Sequence, residues 1–176
     1  MTDHHVHATS ILVLVVAANM SAFAQPATTK PRVLASLERF GCEGQCPVYK
    51  LTVFEDGRLE WVGRWFVKQR GTATATLSTS ERADLVTAFA TAKYFDLAAK
   101  YDCADDTPVS HLFYDDGTRK RAVGHDSHCD TNDRTAKLRA EASSLTVLET
   151  AIDRITRSER WVGTTAEREA LARRRP

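Results

Sequence analysis

VYKLTVFEDGRLEWVGRWFV, residues Val48 to Val67, decides the fold. Glu55-Asp56-Gly57 separates two runs rich in β-branched and aromatic residues, the pattern of a β-hairpin. Two registers compete. A two-residue Asp-Gly loop would set Val53 opposite Glu60 and Thr52 opposite Trp61, scattering apolar side chains over both faces. A three-residue loop with Gly57 left-handed pairs Val53 with Leu59, Leu51 with Trp61 and Tyr49 with Gly63. Tyr49, Leu51, Val53, Leu59, Trp61 and Trp65 then share one face, and Lys50, Thr52, Glu60 and Arg64 the other. A one-residue slip would turn the whole apolar set toward water, so burial selects the second register.

Working outward, Val33 to Phe40 alternates and reads as a preceding strand, and Thr72 to Leu77 (TATATL) as a following one. Ser78 and Glu81 form a capping box, in which each side chain satisfies an orphan backbone N–H of the other. The helix it opens buries Leu85, Val86, Phe89 and Ala92, and stops near Tyr94-Phe95. Ala98 to Pro108 is an acidic loop. Val109 to Tyr114 and Arg119 to Val123 make a second hairpin over Asp115-Asp116-Gly117, its register left open by burial. Leu138, Leu145, Leu148, Ile152 and Ile155 mark a second helix, with Ser143-Ser144 as a point where it could break. Thr164 and Glu167 form another capping box, opening a short helix that runs into Arg173-Arg174-Arg175-Pro176. The β-β-β-β-α-β-β-α order predicts an α+β domain: a largely antiparallel sheet with helices packed on one face.

The chain has 176 residues, 24 Lys+Arg against 23 Asp+Glu, and a formal charge of +1. Such a balance argues against an electrostatic nucleic-acid binder. With 43% hydrophobic and 27% charged residues it has the composition of a globular chain. The apolar run Ile11 to Ala18, followed by the small-x-small pattern Ala22-Phe23-Ala24 and then Gln25-Pro26, reads as an export signal cut between Ala24 and Gln25. The expected organisation is a signal peptide over 1–24, a disordered leader over 25–31, one α+β domain over 32–163, and a short helix with a basic tail over 164–176. Past the cut no apolar run reaches the length of a membrane span. The expected location is periplasmic or secreted.

Cys42, Cys46, Cys103 and Cys129 would then meet an oxidising compartment, where thiols pair. Four cysteines allow three connectivities. The favoured one is Cys42–Cys46, closed where Gly44 permits a reversal, with Cys103–Cys129, worth about 3 kcal/mol by chain entropy. A redox dithiol at Cys42/Cys46 is the competing reading, although redox pairs use Cys-x-x-Cys at a helix start. Cys103, His125, His128 and Cys129 could supply a tetrahedral zinc site, but they lack the usual paired short spacings and the two cysteines have each other. His111 reads as a plain strand residue.

The run Leu37 to Tyr49, with Cys42-Glu-Gly-Gln-Cys-Pro-Val-Tyr49, resembles a bacterial family of secreted domains of unknown function. That family shows Cys-x-Gly-x-Cys-Pro-x-Tyr before a strand and an Asp-Gly hairpin. Asp56-Gly57, Trp61-x-Gly63, Ile152-Asp153-Arg154-Ile155 and Trp161-Val162-Gly163 are similar too, so the likeness spans about Leu34 to Gly163. This sequence departs from the pattern around Asp126 to Thr135. The resemblance implies export and a single domain, and it carries no activity and no catalytic residue.

No dinucleotide or phosphate-loop glycine motif, His-Glu-x-x-His or Gly-x-Ser-x-Gly elbow occurs. Asp126 to Asp133 lacks the central Gly and distal Glu of a calcium loop. Trp61 and Trp65 could form a stacking surface for a ligand, against the plainer expectation that both are core. The expected function is a non-enzymatic binding or interaction module of the cell envelope, without cofactor, for a small ligand or an envelope protein. The alternative is a thiol-redox or metal-binding envelope protein.

Overall fold

The structure, a computed structural model, describes residues 31–42, 44–103, 108–130 and 135–173. The expected signal, its cut at Ala24/Gln25, most of the leader, the centre of the acidic loop and the last arginines lie outside the described residues. Strands β1 (Val33–Arg39), β2 (Val48–Phe54), β3 (Arg58–Trp65), β4 (Gly71–Thr76), β5 (Lys100–Tyr101), β6 (Val109–Asp115) and β7 (Lys120–Asp126) form one sheet. Their order is β4-β3-β2-β1-β6-β7-β5. All neighbours are antiparallel except β5 and β7. Helices α1 (Thr79–Thr91), α2 (Ala136–Thr156), α3 (Glu159–Val162) and α4 (Thr165–Arg173) complete the α+β domain.

The first hairpin takes the three-residue register, with Val53 opposite Leu59, Leu51 opposite Trp61 and Tyr49 opposite Gly63. Gly57 closes it at φ +89°, and its N–H donates to the Phe54 carbonyl at 2.9 Å. A Cβ there would lie 2.7 Å from the Leu77 carbonyl, so glycine is needed for space as well as for backbone sign. Register then builds the core. Val123, Leu112, Leu37, Leu51 and Trp61 stand directly opposite one another on successive strands. This apolar rank is buried throughout, and Leu85 and Phe89 of α1 and Leu145, Leu148 and Ile152 of α2 belong to the same core. The other face carries charge: Glu38 pairs with Lys50 at 3.4 Å and Arg64 at 2.9 Å.

Four details differ from the sequence expectation. Trp65 leaves the core, because the register shifts between Val48 and Tyr49 and the extra residue inverts side-chain parity beyond it. Trp65 is half-exposed, with the Arg70 guanidinium over its ring at 4.8 Å. Val86 of α1 is exposed rather than buried. α2 runs unbroken through Ser143-Ser144, the Ser144 hydroxyl donating back to the Ala140 carbonyl at 2.9 Å. Lys100-Tyr101, expected as loop, is a two-residue strand parallel to β7. Both capping boxes form: Ser78 with Glu81, and Thr164 with Glu167. The described residues hold no helix long and apolar enough to cross a membrane.

Candidate functional site

Beside the apolar rank the same pairings build a polar one. His125 stands opposite Ser110, Ser110 opposite Arg39, Arg39 opposite Tyr49, and Tyr49 opposite Gly63. Each residue is two positions along its strand from a member of the apolar rank, so each points to the same inner face. α2 passes over them and supplies Glu149 and Asp153, one helical turn apart.

Arg39 donates from Nη1 to Glu149 Oε2 at 2.7 Å, from Nη2 to Asp153 Oδ2 at 2.8 Å, and from Nε to the Tyr49 hydroxyl at 2.8 Å. The Tyr49 hydroxyl in turn donates to Asp153 Oδ1 at 2.7 Å, and Ser158 donates to the same oxygen at 2.6 Å. Glu149 Oε1 accepts from the Ser110 hydroxyl and from His125 Nδ1, the latter at 2.8 Å. His125 Nε2 faces Asp130 Oδ1 at 3.4 Å, close enough for attraction but too poorly aligned for a hydrogen bond.

Burial and neighbouring charge act on these groups in opposite senses. Burial opposes charge on Arg39, but Tyr49, Asp153 and Glu149 outweigh it and hold the guanidinium protonated more firmly than usual. Burial and then the Asp153 charge push the Tyr49 phenol up, so it stays a donor. For His125 burial lowers the pKa, while the Glu149 hydrogen bond and charge and then Asp130 raise it further, for a net rise. Burial raises Glu149, and the His125 hydrogen bond, the Arg39 charge and the Ser110 hydrogen bond reverse this to a net fall. The network thus favours the charged forms of His125, Arg39 and Glu149 against one another.

Ser110, His125 and Glu149 share the residue types of a hydrolytic triad but not its geometry. A triad places His Nε2 on the serine hydroxyl. Here the hydroxyl is bound to the glutamate, and Nε2 turns toward Asp130. The serine is therefore not paired with the imidazole, and Glu149 ties both side chains to α2.

Above the network lies a cleft of about 410 Å³. Arg39, Tyr49, Glu149 and Asp153 contribute to its lining, and Phe40, Pro47, Pro108, Val109 and Val162 add apolar surface. Of the five N–H donors of a guanidinium, the three named bonds leave two on Arg39. Cys46 also lines the cleft.

Cys42 is bonded to Cys46 and Cys103 to Cys129. The second bridge ties the chain after β5 to the turn after β7, and Cys129 is fully buried. Its sulfurs are spent on each other, and His125 is committed to Glu149, so Cys103, His125, His128 and Cys129 do not converge as four free ligands. Among the described residues no group of three or more His, Cys, Asp or Glu is placed to hold a metal ion. Trp61 is buried between Tyr49 and Trp161, with ring centroids at 4.7 and 5.4 Å, and Trp65 lies apart from it at the surface. The two tryptophans do not make one platform. His111 is exposed, edge-on to Phe40 at 4.7 Å.

The molecule is thus a two-disulfide α+β domain with a polar-floored cleft at one end of its sheet. The chain belongs to the family described as a domain of unknown function, DUF6438, whose model matches residues 33–148. No curated protein matches it.

Proposed function

We propose that the chain is an exported, disulfide-stapled binding module of the cell envelope, and that the cleft over Arg39 receives a small uncharged ligand or a side chain of an envelope partner. One observation carries this reading: the cleft joins apolar walls to a floor whose guanidinium is fixed in place with two donors to spare. Small-molecule sites share this build, an apolar lining with a few placed polar groups. Both Arg39 charges of contact are carboxylates, Glu149 and Asp153, so a neutral carbonyl suits the floor better than a further anion. Export accounts for the two bridges, since disulfides persist in oxidising compartments.

The test uses the full chain expressed in a bacterial host. The mass of protein recovered outside the cytosol should report an N-terminus at Gln25 and no free thiol. Titrating it with N-acetyl-leucinamide, while following backbone amide resonances, should move Phe40, Val109 and Val162. Ser127→Trp, at the cleft rim, should abolish the shifts. An uncut cytosolic chain would overturn export, and unmoved cleft resonances would overturn the binding reading.

Cys46 in the cleft lining favours a second reading, a labile Cys42–Cys46 disulfide that exchanges with a dithiol partner. A reduction potential well above that of a structural bridge would support it, and one below about −300 mV would remove it.

A further inference from the structure

The sheet ends differently at its two edges. β5 is two residues long and carries Lys100, paired with Asp102. A short charged strand is a poor template for further pairing. β4, at the other edge, is six residues long and holds no charge, proline or bulge. Its register with β3 is regular from Arg58 opposite Thr76 to Gly63 opposite Gly71.

The direction of its free backbone groups can be read from one bond. The Leu77 N–H donates to the Gly57 carbonyl at 2.8 Å, continuing the register of Arg58 with Thr76. Bonded and non-bonded pairs alternate in an antiparallel ladder. Gly71, Ala73 and Ala75 therefore turn their backbone groups toward β3, and Thr72, Thr74 and Thr76 turn theirs outward. Among the described residues no backbone group bonds to those three. Their side chains are exposed, while Ala73 and Ala75 pack half-buried against the core.

We propose that β4 is a self-association edge, where two copies of the chain join antiparallel about a two-fold axis through Thr74 into one continuous sheet. Thr72-Ala-Thr-Ala-Thr76 reads the same in both directions. The two-fold sets Thr74 against Thr74 of the second copy and Thr72 against its Thr76. All are outward-facing positions, so the pairing makes about six interchain backbone hydrogen bonds. Threonine meets threonine on one face, a favourable cross-strand pair, and alanine meets alanine on the other. An isologous contact must be complementary to itself, and this strand is. One strand per copy falls short of the roughly 20–30 residues a side of a stable interface, so the dimer is weak and concentration-dependent.

Sedimentation of the full chain over rising concentration should show a monomer–dimer equilibrium. Thr74→Pro removes an outward N–H without touching a bond to β3. It should raise the apparent dissociation constant about tenfold or more and leave the unfolding midpoint near that of the parent. Thr74→Val keeps the N–H and should keep the dimer. Thr74→Cys should cross-link to itself on air oxidation, because directly opposed residues stand about 5.5 Å apart between Cα atoms. Thr72→Cys should cross-link only when mixed with Thr76→Cys. The cysteine series reads the register even where the proline variant folds poorly. A chain monomeric throughout, a dimer indifferent to Thr74→Pro, or Thr72→Cys coupling as readily with itself would each overturn the proposal.

Discussion

His125 is a buried base whose neighbours favour its charged form. Glu149 of α2 holds Nδ1, Asp130 faces Nε2, Ser110 of β6 shares the same Glu149 oxygen, and the Tyr101 ring of β5 packs edge-on at 6.4 Å. The imidazole pKa is raised above its ordinary 6.5. The folded state therefore binds this proton more tightly than the unfolded chain does. The resulting stability is complete below pH 6.5 and is lost as pH climbs through the folded value. Glu149 works in the opposite sense: its folded pKa lies below the ordinary 4.5, so its contribution is present above 4.5 and fades as pH falls through the folded value. Urea unfolding across a pH series should show a plateau between those two ordinary values and a decline on the alkaline side. His125→Gln keeps a donor toward Glu149 but does not titrate. It should lower stability by about 1–3 kcal/mol and abolish the alkaline decline. A parent protein equally stable at pH 6 and pH 8 would contradict this account.

Within β3, Gly63 shows how an element is shaped by the side chain it lacks. The Trp61 indole N–H donates to the Gln69 carbonyl at 2.9 Å, and that contact crosses the space a side chain at 63 would fill. A Cβ on Gly63 would stand 2.1 Å from the Gln69 carbonyl oxygen and 2.8 Å from the indole nitrogen. Backbone cannot retreat as a flexible side chain can, so Gly63→Ala should cost about 1–3 kcal/mol or more, read as a fall in the denaturation midpoint. Gly71→Ala meets no atom within 4 Å, but its φ of +80° strains any other residue, so it should show backbone strain without a clash. The hairpin itself was legible in the sequence, because only one register buries Leu51, Leu59 and Trp61 together. Trp65 was not, because alternation carries no mark of the irregularity between Val48 and Tyr49. The capping boxes were legible, being local chemistry three residues apart. Lys100-Tyr101 was not, because a two-residue strand exists only through its pairing with β7.

At the scale of the whole molecule, the polar rank is the part that sequence reading passed over. Each member looks ordinary where it stands: Arg39 ends a strand, Ser110 begins one, and His125 sits in an acidic stretch. Their convergence depends on the pairing of β1 with β6, far apart in the chain, and on α2 passing over the joined strands, and no local pattern reports either. The signal available was parity. Arg39, Tyr49, Ser110 and His125 each keep the inward phase of their strand, and Glu149 and Asp153 sit within the apolar stripe of Leu145, Leu148 and Ile152. The disulfides divide their work over the same architecture. Cys42–Cys46 closes a separation of four residues beside the cleft, and Cys103–Cys129 closes 26 residues around the last strands. Chain entropy assigns the longer loop the larger effect, about 3 kcal/mol against about 2 for the shorter. Cys103→Ser with Cys129→Ser removes a fully buried sulfur as well, and frees the turn that carries Asp130 toward His125. In guanidinium denaturation this double variant should therefore lose more stability than Cys42→Ser with Cys46→Ser. It should also weaken the alkaline decline that His125 produces. The Cys42/Cys46 variant should keep that decline in full, since its loop touches neither Glu149 nor Asp130 through any hydrogen bond among the described residues. Equal losses from the two pairs would show that the longer bridge is not the main strut.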